Sequence, residues 1–407
     1  MPSLLPRGAY DRAAALGPAT HEGLPKARLA LGRVCASLFG STAGMRAVET
    51  VSRAAFGLLA GLPLLPSPAT PYRFLQDVPV TSALECQTAL GRRLVALAQV
   101  TPGHPVTRDG HHVKPSSRQA MPHACITQEG RDGQAIRPFD TQAQASQTPR
   151  MALAASSGPT VSQVTQRWAG LTRDILGRDG LRGADKAWYC GPRIQALPTH
   201  DGVAVLTPVR SSPTRLGECD AVPLEPYDQT IWGHVAAVSP TMTDVDGPVR
   251  RRLQKRRDGT SVALITPACP MPADTAMPTD TQRWRMEHCC AANAFLGVHP
   301  LPSLPLNAIP TMLSLRLLAC HVMDHVRHAR GATSQKQTPD LIHRECVNGI
   351  QGRVPWCGTI LDVIIDGCEH EAAAAAILTT RDTTLENAGV DPRIPWLGNR
   401  RLRFTLH

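Results

Sequence analysis

The sequence changes its periodicity once, near Val100, and that change limits the folds open to it. Before it, apolar residues recur at helical spacing: Leu31, Val34, Cys35 and Leu38, then Val48, Val51, Ala55 and Leu58, with Gly40 and Gly44 between the two sets. Thr70 reads as an N-cap with Pro71 at the first helical position. A further helix is expected to open at Thr81 and to run through Leu84, Leu90, Leu94 and Leu97. After Val100 short extended segments take over. These are Pro105 to Arg108, closing on Asp109-Gly110, then Ala124 to Thr127, then Gln134 to Phe139.

The two signals then alternate. Thr160-Val161-Ser162-Gln163 is a capping box, and Val161, Val164, Trp168, Leu171 and Ile175 form one apolar stripe behind it. A short segment ends at Ala184-Asp185, a helix is expected near Pro192 to Leu197, and Val203 to Leu206 reads as a strand. Strands are expected at Ile231 to Val238 and Ser261 to Ile265, and Thr279 to Gln282 reads as a second capping box, opening a helix to about Leu296. Three strands, helix, strand, helix, strand, insertion, helix is the order of an RNase H-like α/β domain. The expected fold class is therefore α/β, a mixed sheet flanked by helices, with a β-rich insertion and an N-terminal helical domain. Such a sheet gathers acidic residues at strand ends, where loops can bring them around a metal.

Composition narrows the function classes. Of 407 residues, 42% are hydrophobic and 19% charged, which supports a packed core and argues against a wholly disordered chain. Aromatics are only 4%, so the core must rest on Leu, Val, Ile and Ala. Lys plus Arg number 43 against 33 Asp plus Glu, a net charge of +10 that favours a polyanionic partner, most commonly nucleic acid. No apolar run is long enough to span a bilayer. The opening Met1-Pro2-Ser3-Leu4-Leu5-Pro6 lacks the pattern of a signal peptide, so a cytoplasmic, nucleoid-associated location is expected. The 12 cysteines contain no CxxC pair and read as reduced, small apolar residues. The expected layout is an irregular N-terminus over 1–25 and a helical DNA-binding region over 26–100. A catalytic core over 101–206 follows, then a β-rich insertion over 207–275 and the rest of the core with the C-terminal region over 276–407.

Three carboxylates are candidates for a shared metal site: Asp109 at the end of the first strand, Asp185 at the end of the strand after the first capped helix, and Glu287 in the last capped helix. Phosphodiester chemistry needs an activated oxygen nucleophile and a stabilised leaving oxygen, and a pair of Mg²⁺ (or Mn²⁺) ions held by carboxylates supplies both. Each residue also has a plainer reading. Asp-Gly is the commonest hairpin turn signal and occurs seven times here, so Asp109 could serve only a turn. Asp179 is the nearest rival of Asp185. Arg283, one helical turn before Glu287, could hold that carboxylate or a phosphate, or form an ordinary surface ion pair. The run Arg250-Arg251-Arg252-Leu253-Gln254-Lys255-Arg256-Arg257 could carry DNA phosphates, with salt-sensitive binding, or be a solvated edge strand. Cys320, His321, His325 and His328 have helical spacing but no accompanying Glu base, and sit in an apolar helix from Leu313 to Val326. No GxxxxGK[ST] or GxSxG motif occurs.

From about Leu58 to the C-terminus the chain resembles the DDE transposases of bacterial insertion sequences. The resemblance is carried by Leu62-Pro63-Leu64-Leu65-Pro66-Ser67 with Thr70 and Arg73-Phe74-Leu75, by Asp109-Gly110-His111-His112 followed by Ser116-Ser117-Arg118-Gln119, by Ala184-Asp185-Lys186-Ala187, by Arg283-Trp284-Arg285-Met286-Glu287, and by Asp391-Pro392-Arg393-Ile394-Pro395-Trp396-Leu397. It implies metal-dependent cleavage and strand transfer at terminal inverted repeats, with Asp109, Asp185 and Glu287 as the catalytic metal ligands and Arg283 beside them. It also implies contacts to double-stranded DNA, terminal repeats and target alike, from Arg73 and from Arg250, Arg251, Arg252, Lys255, Arg256 and Arg257, and a homodimer on paired ends. In the Tyr, Arg, Glu, Lys signature of one branch, Arg283 and Glu287 match, while Asp280 and Ala294 stand at the outer positions. A transposase-derived DNA-binding protein without catalysis and a standalone RNase H-like nuclease are the alternatives.

Overall fold

The computed structural model describes residues 4–17, 24–38, 57–64, 66–67, 69–96, 106–110, 123–126, 131–134, 136–143, 149–156, 170–171, 173–175, 182–184, 205–208, 225–226, 232–238, 249–256, 261–267, 308–330, 337–346, 351–367, 371–387 and 389–406. The helices are α1 (Ala9–Ala14), α2 (Lys26–Leu38), α3 (Ala69–Asp77), α4 (Val80–Ala96), α5 (Ala308–Ala329), α6 (Pro339–Cys346) and α7 (Glu371–Asn387). The strands are β1 (Val106–Gly110), β2 (His123–Ile126), β3 (Arg131–Gln134), β4 (Ile136–Ala143), β5 (Pro149–Ser156), β6 (Arg182–Ala184), β7 (Val205–Pro208), β8 (Glu225–Pro226), β9 (Trp232–Val238), β10 (Val249–Arg256), β11 (Ser261–Pro267), β12 (Gln351–Arg353), β13 (Trp356–Cys357), β14 (Ile360–Gly367) and β15 (Arg401–Leu406). The fold is thus mixed α/β.

Nine strands form one sheet in the order β5-β4-β1-β6-β7-β11-β10-β9-β8. β1 is antiparallel to β4, β4 to β5, and β1 is parallel to β6, which is parallel to β7. β11 joins β7 antiparallel, so the strands between residues 225 and 267 extend the same ladder. Among the described residues β2 and β3 pair only with each other, as a two-stranded ribbon. The expected second strand is therefore outside the main sheet, and β5 is a strand that the sequence reading did not assign. The expected strand at Val203 to Leu206 lies two residues further on, at β7.

α5 is the organising helix. From Ala308 to Met323 every residue but Pro310 is buried, so it is enclosed on all sides rather than amphipathic. It packs on β5 and on α2, α3 and α4. The helical stripe read from the sequence supplies much of the facing surface: Leu31 and Val34 are fully buried and Cys35 nearly so. Polar groups lock the contact with α4. Gln87 Nε2 donates to Ser314 Oγ at 3.0 Å, and that hydroxyl donates to the Ala83 carbonyl at 3.0 Å. Leu171 and Ile175 pack against the same core, and a Cβ on Gly91 of α4 would sit 2.7 Å from an Ile175 methyl, so the close approach there requires glycine.

α3 begins at Ala69, ahead of the expected cap at Thr70, whose amide bonds the Ser67 carbonyl. The N-terminal turn is clamped to α4 by Arg93, whose Nε donates to the Pro6 carbonyl at 2.7 Å. Burial lowers the Arg7 guanidinium to about 10, against the opposing pull of Asp324. On the same stretch of α5, burial together with Arg7, His328 and the N-terminus lowers His325 to about 4, and Asp324 only partly offsets them. The two cysteines with shifted thiols, Cys35 and Cys86, are raised to about 11 by burial, which fits reduced apolar use.

The C-terminal region forms a second, four-stranded sheet in which β14 pairs with β12 and β13 on one side and β15, in parallel, on the other. A 3₁₀ turn at Pro395–Leu397 then docks onto the N-terminal helices. Trp396 is 2% exposed, stacks on Tyr10 with ring centroids 5.4 Å apart, and its Nε1 donates to the Leu59 carbonyl at 2.9 Å. Gly61 has φ +75° and lies so close that any Cβ there would run into the Trp396 carbonyl oxygen. One hydrophobic core consequently joins α1 to α6, the start of β1 and the 394–397 turn.

Candidate active site at the end of the parallel strands

β1 starts in the core. Val106, 1% exposed, anchors its first residue in the common core, and the β-branched pair Val106-Thr107 favours extended backbone. Asp109 and Gly110 follow. Both are paired residues of the strand, opposite Asp140 and Phe139 of β4, so Asp109-Gly110 is not a hairpin turn. Asp132-Gly133 likewise lies within paired β3 rather than at a bend.

The parallel neighbour fixes the level of the site. Arg108 pairs with Ala184, the last residue of β6. Each is followed in sequence by an aspartate, Asp109 after Arg108 and Asp185 after Ala184. β1 is also where the sheet changes from antiparallel to parallel, with β4 on one side and β6 on the other. In open α/β sheets, ligand sites form outside the carboxyl ends of the strands. Asp185, Arg283 and Glu287 lie outside the described residues, as do the two capping boxes and the helix expected near Pro192.

Asp140 is a candidate that the sequence did not suggest. It stands directly opposite Asp109 in the antiparallel register. No local motif marks it, because its position depends on a pairing between strands about thirty residues apart. Both aspartates are oxygen-donor residue types, the kind that a hard divalent cation takes.

The basic run occupies β10, which pairs with β11 on one side and β9 on the other. It is an interior strand, so the edge-strand reading is overturned: both its backbone edges are already satisfied. Alternation along the strand puts Arg250, Arg252 and Gln254 at positions of one face and Arg251, Leu253 and Lys255 at positions of the other. A register irregularity between Lys255 and Arg256 re-aims the strand end. Arg257 lies outside the described residues. Arg73 is exposed on α3.

Cys320 and His321 are buried inside α5, and among the described residues no group of three or more His, Cys, Asp or Glu side chains is placed to hold a metal. Among the described residues no helix is long and apolar enough to cross a membrane.

No family model matches the sequence, and no curated protein matches it. Among solved structures, the chain is similar to a piggyBac transposase in a synaptic complex with hairpin DNA. The sequence identity is 10% and the TM-score 0.44, over 91% of this chain and 74% of that one.

Proposed function

We propose that the chain is an insertion-sequence transposase with an RNase H-like core, cutting and joining DNA at terminal inverted repeats. The observation that carries this reading is the parallel pairing of Arg108 with Ala184, which sets side by side the two residues that precede Asp109 and Asp185 in the sequence. The strand order supports the same core. β5-β4-β1-β6-β7, with the first three antiparallel and the last three parallel, has the first strand in the middle, as an RNase H-like sheet requires.

On this reading Asp109, Asp185 and Glu287 hold Mg²⁺ or Mn²⁺. A bound pair of such ions lowers the pKa of an attacking water or 3′-hydroxyl and stabilises the leaving oxygen. Arg283 orients Glu287 or clamps a phosphate. Arg250, Arg251, Arg252, Lys255, Arg256 and Arg257, with Arg73 on α3, neutralise the DNA backbone, terminal-repeat and target alike, and paired ends are bridged by a homodimer.

The test is a nicking assay on terminal-repeat duplex with Mg²⁺ or Mn²⁺, comparing the parent with Asp109→Asn and Glu287→Gln. Loss of nicking in both, with duplex binding retained, is the expected result. Binding without nicking in the parent would leave a DNA-binding protein. Equal nicking of duplexes lacking the repeats would leave a nuclease.

A further inference from the structure

β10 is an interior strand, so its cations are divided between two opposite faces of the sheet, and one duplex cannot meet them all. The register fixes which residues share each face. On the face of Arg250, Arg252 and Gln254, the positions beside Arg252 belong to Ala237 of β9 and Leu264 of β11. Those beside Gln254 belong to Val235 and Val262, and Glu225 of β8 continues that row past Val235. On the face of Arg251, Leu253 and Lys255, the positions beside Leu253 belong to Ala236 and Ala263. Those beside Lys255 belong to His234 and Ser261.

Three observations separate the two faces. Leu264 is 0% exposed, so the Arg252 face is already covered one strand away. On the other face the first buried position among the described residues is Thr207 of β7, one strand further out. Strands lie about 4.8 Å apart whereas the major groove of B-DNA is about 12 Å wide, so a duplex resting on β10 must also lie over β11. Next, two valines flank Gln254, whereas His234 and Ser261 flank Lys255, and these two residue types can hydrogen-bond a phosphate. Last, the one acidic residue of β8 to β11, Glu225, stands at a position of the Arg252 face, where it would repel a phosphate.

We infer that duplex DNA lies on the Arg251 and Lys255 face of β10, with phosphates at those two residues, while Arg250 and Arg252 add only a screened field from the far side. Arg251 and Lys255 are four residues apart along the strand, which is roughly 14 Å. That exceeds the Debye length of about 10 Å at 0.1 M salt, so the two contacts act independently and their contributions add.

The inference rests on the DNA-processing reading and narrows it, but the two fail separately. A parent that binds duplex without nicking it loses the strand-transfer chemistry and keeps this surface. A parent that binds duplex through Arg250 and Arg252 keeps the chemistry and loses this surface. The experiment is fluorescence anisotropy of a short, labelled, mixed-sequence duplex with the full chain in EDTA, over a range of KCl. Arg251→Gln and Lys255→Gln should each weaken binding several-fold and reduce the salt slope by about 0.9, the value of one phosphate contact on B-DNA. The double variant should lose about 1.8. Arg250→Gln and Arg252→Gln should keep the parent slope. Two added cations test the same point where a lost arginine disturbs folding. Ser261→Lys, beside Lys255, should raise the slope by about 0.9, and Gln254→Lys, on the other face, should leave it unchanged. Thermal melts confirm that each variant is folded. A slope that falls in Arg250→Gln and Arg252→Gln but not in Arg251→Gln and Lys255→Gln would overturn the inference. So would a greater gain from Gln254→Lys than from Ser261→Lys, a parent slope in all four glutamine variants, or a parent that binds no duplex.

Discussion

Asp109 of β1 stands directly opposite Asp140 of β4 in an antiparallel pair, two carboxylates at one register position. Like charges directly opposed across strands destabilise a sheet by up to about 1 kcal/mol. In EDTA, Asp140→Asn should therefore raise the urea midpoint. Added Mg²⁺ should stabilise the parent more than the variant, because a cation offsets the repulsion only where it exists. An Asp140→Asn protein less stable than the parent in EDTA would rule this out.

Gly61 and Trp396 form the contact between the C-terminal turn and the N-terminal helices. Gly61→Ala places a methyl into the Trp396 carbonyl at a φ of +75°, where side chains are strained. It should destabilise the chain by more than the roughly 1 kcal/mol typical of a point mutation. Trp396→Ala removes a buried ring and should cost about 3–5 kcal/mol. Chemical denaturation followed by circular dichroism measures both.

His325 makes stability depend on pH. Its native pKa is lowered from 6.5 to about 4, so between those values the unfolded chain binds the extra proton and the native chain does not. The contribution is fully present above pH 6.5, falls as the pH drops, and levels off below about 4. Burial pushes hardest in this direction, Arg7 and His328 add to it, and Asp324 opposes them. In His325→Gln the melting temperature should vary less between pH 7 and pH 4.5, and a parent-like profile in that variant would assign the acid sensitivity to other groups.

Gln87→Ala removes a buried amide that bridges α4 and α5 through Ser314. The expected loss is about 1–3 kcal/mol. Gln87→Met, which keeps most of the volume, should lose less, and the difference between the two in denaturant midpoint separates packing from hydrogen bonding.

The parts of the fold that the sequence made legible are those with local causes. β1, β9 and β11 announce themselves through short runs with β-branched residues beside turn residues, and α5 through an apolar run too long for a strand. β5 did not, because Met151-Ala152-Leu153-Ala154-Ala155 is made of good helix formers, and long-range pairing with β4 holds it extended. The same cause hid the place of β10. A run of arginines looks like an edge, yet strand order is set by long-range pairing that no local pattern encodes. At the candidate site, Asp109 was legible as an acid at a strand end, whereas Asp140 required the register.

The uninterrupted ladder from β1 through β6, β7 and β11 to β10 also acts as a ruler. Four strand-to-strand steps of about 4.8 Å each set the acidic strand end and the arginine strand roughly 19 Å apart, before twist is counted. At about 3.4 Å per base pair that distance is close to half a helical turn. On the proposed function, a duplex gripped at β10 would present its backbone to Asp109 on the opposite side of the helix, so lengthening or shortening the sheet by one strand would change which phosphate is offered for cutting.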